Sequence, residues 1–338
     1  MATNFAQIIG NVINTQENMK SGMVKPGVIN TYFVLNNWRI IVRSISMLLE
    51  SRSLGTAFIL DHSVNGLLDA GKILDGSVGS YSTIESNATT LELTNAYKEE
   101  LAKWLVGDSV GYPTHFEIGT GTTAYSISQT SLVTASGARV SSTNTNSTTK
   151  QTQFQGLFSD RADANIKEVG LFNASSSGDM VIRYVLSSEV DMSVSSDYRF
   201  TIKITYTDNT PGNALVNTTG LNEMRDWMYD GATGTAPTYT EWNDSTEDVD
   251  AAHNDTDWDT GGGNEQRNAF VSNSGTRATY KVSWRCELTT AQLNGVNVTK
   301  SGLFNSAAGA TLWSESEYGP INKTTLFKVL ETDSITII

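Results

Sequence analysis

The nine residues Asn165-Ile-Lys-Glu-Val-Gly-Leu-Phe-Asn173 return as Asn297-Val-Thr-Lys-Ser-Gly-Leu-Phe-Asn305, 132 positions later. Other matches are ordered around this one. Trp104 aligns with Trp227 at an offset of 123, Pro113-Thr114 with Pro237-Thr238 at 124, and Arg139 with Arg267 at 128. Offsets that grow in one direction are what a duplicated domain shows when its second copy carries loop insertions. Internal repetition constrains the fold before any local signal does. It divides the chain into an N-terminal segment (1–90), a first repeat (91–206) and a second repeat (213–338).

Each repeat opens with a helical stripe. Leu93, Ala96, Tyr97, Leu101, Trp104 and Leu105 recur at helical spacing in the first, and Leu221, Met224, Trp227 and Met228 in the second, with Gly107 and Gly231 as stops. Alternating runs follow. Phe200, Ile202 and Ile204 interleave with Thr201, Lys203 and Thr205, and Val282, Trp284, Cys286 and Leu288 share one strand face. The expected class is mainly β (α+β): two tandem β-sandwich-like repeats, each with a short packed helix. In the N-terminal segment Trp38, Ile41, Val42, Ile45, Leu48 and Leu49 also fall at helical spacing, with Asn36 or Asn37 as N-cap, so a partly helical leader is predicted there.

Charge bounds the function. The net charge is −13, and Thr207 to Gly275 holds thirteen acidic against two basic residues. A surface of that sign repels nucleic acid, whose binding requires phosphate neutralisation. No run of 18 apolar residues spans a bilayer, and the N-terminus lacks the basic and apolar regions of a signal peptide. Synthesis in a cytoplasm is therefore expected. The single Cys286 excludes an internal disulfide framework and reads as a small buried hydrophobe.

Catalytic constellations are not evident. His62, His115 and His253 have no ligand-like spacing, and Gly119-Thr-Gly121 lacks the third glycine and following helix of a nucleotide-binding turn, which leaves a surface turn. The best candidate site is Asp255-Thr-Asp257-Trp-Asp259. Carboxylates at positions 1, 3 and 5 begin a calcium loop, because alternating residues of a tight loop converge on one hard cation. Thr260 replaces the expected glycine and Gln266 the bidentate glutamate, so a solvated acidic loop is the competing reading.

Thr94-Asn95-Ala96 with its helix, Pro113-Thr-His-Phe-Glu-Ile-Gly-Thr-Gly-Thr-Thr123 and Lys167-Glu-Val-Gly-Leu-Phe-Asn173 together resemble the module of phage tail-collar fibre proteins and related tailed-virus appendages. Asn173 stands where that pattern has Asp, and Tyr97 where it has Gly. The second repeat keeps Thr219-Gly220-Leu221, the helix and Gly302-Leu303-Phe304 but not the Gly-x-Gly turn. The resemblance covers about two thirds of the chain and none of residues 1–90. It implies a non-enzymatic virion structural protein, a tail fibre or baseplate-associated subunit assembled into particles before lysis. It further implies a homo-oligomer, most often a trimer. The N-terminal segment is then expected to dock to other virion proteins. Two alternatives stay open: a capsid turret or decoration protein, and a carbohydrate-binding module for host-surface glycans using Trp242, Trp258 or Trp313.

Overall fold

A computed structural model describes residues 30–53, 63–64, 67–68, 80–87, 91–212, 214–244, 264–271, 280–308 and 311–338. These residues are mainly β, with two helices. The N-terminal part supplies β1 (Asn30–Ser53), a small hairpin of β2 (Ser63–Val64) and β3 (Leu67–Leu68), and β4 (Ser82–Asn87). The rest of the chain then runs twice through one order: a short strand, a helix and six strands. First come β5 (Leu91–Glu92), α1 (Asn95–Leu105), β6 (His115–Gly119), β7 (Ala135–Thr148), β8 (Gln151–Phe158), β9 (Ile166–Phe172), β10 (Met180–Val190) and β11 (Ser196–Asp208). The second pass gives β12 (Ala214–Val216), α2 (Thr218–Asp230), β13 (Tyr239–Asn243), β14 (Glu265–Ala269), β15 (Lys281–Leu288), β16 (Val296–Phe304), β17 (Leu312–Lys323) and β18 (Phe327–Ile337).

The predicted N-terminal helix is corrected to a strand. β1 is a 24-residue strand, antiparallel to β11 and parallel to β18. The helical spacing misleads because the β1–β11 register shifts between Ser44 and Ser46. An extra residue there flips the alternation, so among the described side chains the buried ones are Asn36, Ile40 and Val42 before it and Met47 and Leu49 after it. A strand that changes parity midway imitates a period between two and four. β1 is thus not a leader set apart from the repeats. It is the strand that joins them, in the order β8-β11-β1-β18-β15 within an eleven-stranded sheet. A five-stranded sheet, β12-β17-β16-β13-β14, belongs to the second pass.

Because β1 is antiparallel to β11 and parallel to β18, those two equivalent strands run in opposite directions on either side of it. The helices obey the same approximate two-fold relation. Equivalent residues Trp104 of α1 and Trp227 of α2 stack on one another, ring centroids 5.0 Å apart at 20°, and Trp313 closes on Trp104 at 5.9 Å. Each helix also reaches across the seam, α2 onto β7, β8 and β11, and α1 onto β15 and β18. Asn146 Nδ2 donates to Asp226 (2.8 Å), the Lys150 N–H to Asn222 (2.9 Å) and the Thr152 hydroxyl to the Arg225 carbonyl (3.2 Å). One apolar core runs through the contact, from Leu101 and Phe154 to Met224 and Ile335. The passes are clasped side by side, not strung end to end.

The helix boundaries follow from capping. Thr94 accepts from the Tyr97 N–H (3.2 Å) at the start of α1, and Gly231 ends α2 at φ 70°, a left-handed conformation that glycine adopts without a Cβ clash.

Candidate functional site

The repeated Gly-Leu-Phe-Asn motif builds the same local device twice. Phe172 and Phe304 are platforms: the guanidinium of Arg139 lies 3.5 Å from the first ring centroid, and that of Arg267 lies 3.7 Å from the second. Arg139 donates to Glu117 (3.2 Å) and to the Ala174 carbonyl (2.9 Å); Arg267 donates to Glu241 (2.6 Å) and to the Ser306 carbonyl (3.1 Å). Asn173 Oδ1 accepts from the Asp179 N–H (2.7 Å), and Asn305 Oδ1 from the Thr311 N–H (2.9 Å), tying down the turn that follows. Each arginine is held by a ring, a carboxylate and a turn carbonyl, the contacts of a structural joint.

The Gly119-Thr-Gly121 turn is more than a surface turn. Glu168, the glutamate of the repeated motif in the first copy, accepts from the N–H groups of Gly121 (2.9 Å), Thr134 (2.8 Å) and Val133 (3.1 Å) and pairs with Arg183, with neither side chain exposed. Arg183 also donates to the Thr123 carbonyl (2.9 Å) and Gln129 (3.2 Å). A Cβ on Gly121 would meet Glu168 Oε1 at 2.5 Å, which is why glycine stands there. Burial pushes the Glu168 carboxyl up, but the Thr134 N–H, Arg183 and the Val133 N–H together hold it below its ordinary value.

A second buried acidic group was not anticipated. Glu331 and Asp333 of β18 are both inaccessible to solvent. They bridge the two sheets. Asp333 accepts from the Thr240 hydroxyl (2.6 Å) and Asn36 Nδ2 (3.0 Å), while Glu331 accepts from Trp242 Nε1, the Ser301 hydroxyl and Asn36 Nδ2. Burial, and then the neighbouring Asp333 charge, push the Glu331 carboxyl well above its ordinary value. Burial also raises Asp333, against the bonds from Thr240 and Asn36. Two adjacent buried carboxyls resist carrying two charges, so the proton they retain belongs to the pair. The sequence did carry a signal: in Val329, Glu331, Asp333, Ile335 and Ile337 the acids share parity with the apolar residues.

Cys286 is buried as expected, with its thiol pushed up to about 12 by burial and then by Asp333, so it is not a nucleophile at neutral pH. His115 touches Thr114 (2.8 Å) and Ser141 (3.5 Å), and its pKa is lowered by burial and by Arg139. Asp255, Asp257, Asp259 and Trp258 lie outside the described residues, as do His62 and His253. Among the described residues no group of three or more His, Cys, Asp or Glu side chains is arranged to hold a metal ion, and no helix is long and apolar enough to cross a membrane. Trp242 and Trp313, read as sugar-stacking candidates, are each 0% exposed, so neither offers a face to a ring.

Two recesses open on the seam between the passes. One, of about 390 Å³, is lined by residues including Trp104, Asp108, Val110, Trp227, Thr235 and Thr238. A smaller polar one, of about 220 Å³, is formed by Tyr112, Thr114, Ser142, Asn144, Tyr229 and Asp230. No protein-family model and no curated protein matches this chain.

Proposed function

We propose that this chain is a non-enzymatic structural subunit of a tailed-virus particle, part of a tail fibre or baseplate-associated appendage, built from two clasped β-sandwich-like modules. The observation that carries this reading is what the duplication kept. The positions preserved in both copies are Trp104 and Trp227, Arg139 and Arg267, Glu117 and Glu241, and Asn173 and Asn305, all of which pack, stack or tie turns. The acids with the most perturbed surroundings are sealed inside, where they join sheets instead of facing a substrate. The likeness to collar-fibre modules supplies the particle, and the oligomer remains an expectation of that likeness.

Cryo-electron microscopy of the assembled particle tests the reading. Density for this chain on the tail supports it, density on the capsid favours a turret or decoration protein, and absence from the particle removes both. Since residues 30–53 are built into the sheet, a docking test must spare them. Deletion of residues 1–29 is expected to leave a folded chain that no longer joins particles.

One observation favours glycan binding as a second reading. The recess between Tyr112 and Tyr229 brings amide, hydroxyl and carboxylate groups together beside aromatic rings. Loss of glycan-array signal in Tyr229→Ala would support it, whereas an intact chain that binds no glycan would end it.

A further inference from the structure

Three strands of the second copy carry a set of side chains that the first copy lacks. Lys300 on β16 lies directly opposite Asn243 on β13. On its other side Lys300 lies opposite Glu317 of β17, and Glu315, two residues away, points to the same face. Lys300, Asn243 and Glu315 are 1%, 1% and 0% exposed.

The first copy shows how closely these positions approach. Gly119 lies opposite Glu168, and Arg183 is opposite Gly170, so the three equivalents are Gly119, Glu168 and Arg183. There Glu168 and Arg183 are in direct contact. A Cβ placed on Gly119 would lie 2.7 Å from Glu168 Oε1 and 3.0 Å from its Cγ. The same lattice in the second copy holds a side-chain amide, a primary amine and a carboxyl group. It sets them within the water-excluded interior of a sheet, where held proximity replaces a bimolecular encounter.

We propose that Lys300 and Asn243 become joined by an intramolecular isopeptide bond, with Glu315 carrying the proton. Lys300 passes a proton to the Glu315 carboxylate, and its Nζ adds to Asn243 Cγ, forming the new C–N bond. The Glu315 carboxyl gives its proton to the departing amide nitrogen, the Cγ–Nδ2 bond breaks, and ammonia leaves. Glu315 then takes back a proton from the linking nitrogen. A primary amide and an amine become a secondary amide and ammonia. Nothing is oxidised or reduced, and no co-reactant is consumed. The link would fasten β13 to β16 in the middle of the five-stranded sheet, so those strands could no longer be pulled apart by force. This inference does not depend on where the chain sits in a particle.

Mass spectrometry of the intact, denatured full-length chain is the test. The expected mass falls below that of the sequence by one ammonia. A tryptic digest should hold residues 226–267 joined to residues 286–323, with no cleavage after Lys300. Lys300→Arg and Asn243→Ala should each restore the full mass, and Glu315→Gln should leave most of the chain unlinked. A wild-type chain at its full sequence mass overturns the proposal without recourse to any variant. So does an ammonia loss that persists in Lys300→Arg, which would place it at a cyclised asparagine such as Asn294 before Gly295.

Discussion

The two copies fill the same interior with opposite chemistry. In the first, Phe116, Ile118, Val169, Phe200 and Ile202 form an apolar layer. The matching positions of the second are Thr240, Trp242, Ser301, Glu331 and Asp333, a hydrogen-bonded polar layer with equally little solvent. On the other face of the motif strand the charges change places: Glu168 and Arg183 in one copy stand where Lys300 and Glu315 stand in the other. The backbone nevertheless keeps its bonds. The Thr114 N–H meets the Phe172 carbonyl at 2.8 Å, as the Thr238 N–H meets Phe304; the Thr94 N–H meets Val181 at 3.0 Å, as the Asn217 N–H meets Trp313 at 2.9 Å. Register and turn geometry therefore define this fold. Core chemistry is free to vary where hydrogen bonds meet the buried acids, as they do for Glu331 and Asp333.

The comparison can be broken most forcefully at the ion pair. Arg183→Met should destabilise the chain by about 3–5 kcal/mol in urea unfolding, because it leaves the Glu168 charge buried with only N–H partners. A cost below about 1 kcal/mol would mean that the Gly-Thr-Gly turn does not depend on the pair. Trp104→Ala and Trp227→Ala should be close to equal, about 3–5 kcal/mol each. Their double mutant should fall short of additivity by about 0.5–1.5 kcal/mol if the stacking is shared as the two-fold relation requires.

The acids give the copies opposite pH signs. Glu331 has a raised folded pKa, so its contribution is present below the ordinary carboxylate range and is lost as pH rises through the folded value. Glu168 has a lowered folded pKa, so its contribution is present above that range and is lost as pH falls through the folded value. Glu331→Gln should accordingly gain stability relative to wild type as pH rises above the ordinary carboxylate range, by at most about 1.4 kcal/mol per pH unit. Parallel pH profiles for the two proteins would show that Glu331 is ionised in the fold.

Much of this architecture was legible in the sequence. The helix stripes, the Gly231 stop and the alternation of β11 and β15 correspond to elements in the structure because each depends on neighbours a few residues apart. The echo around Gly-Leu-Phe-Asn also has a physical basis: a ring for an arginine to stack on and an amide to hold a turn. What failed was information that lies outside a local window. β1 looked helical because a single register shift breaks its parity. Glu331 and Asp333 were passed over because acids in a strand normally mark its wet face, and only Thr240, Trp242, Ser301 and Asn36, from three other strands, make their burial tolerable. The Gly-Thr-Gly stretch was read as a surface turn because Glu168, which closes it, lies 47 residues away.

The placement of β1 also sets a schedule. Its Asn36 is bonded to Asp333, 297 positions further along the chain, and its parallel partner strand ends at Ile337. During synthesis β1 emerges early, and β4 and β5 reach its residues 43–51 soon afterwards, but residues 30–40 wait for β18. Closing so long a loop is slow. The β1–β18 pairing is thus a late step, and until β18 is made residues 30–40 of β1 present an unpaired strand edge.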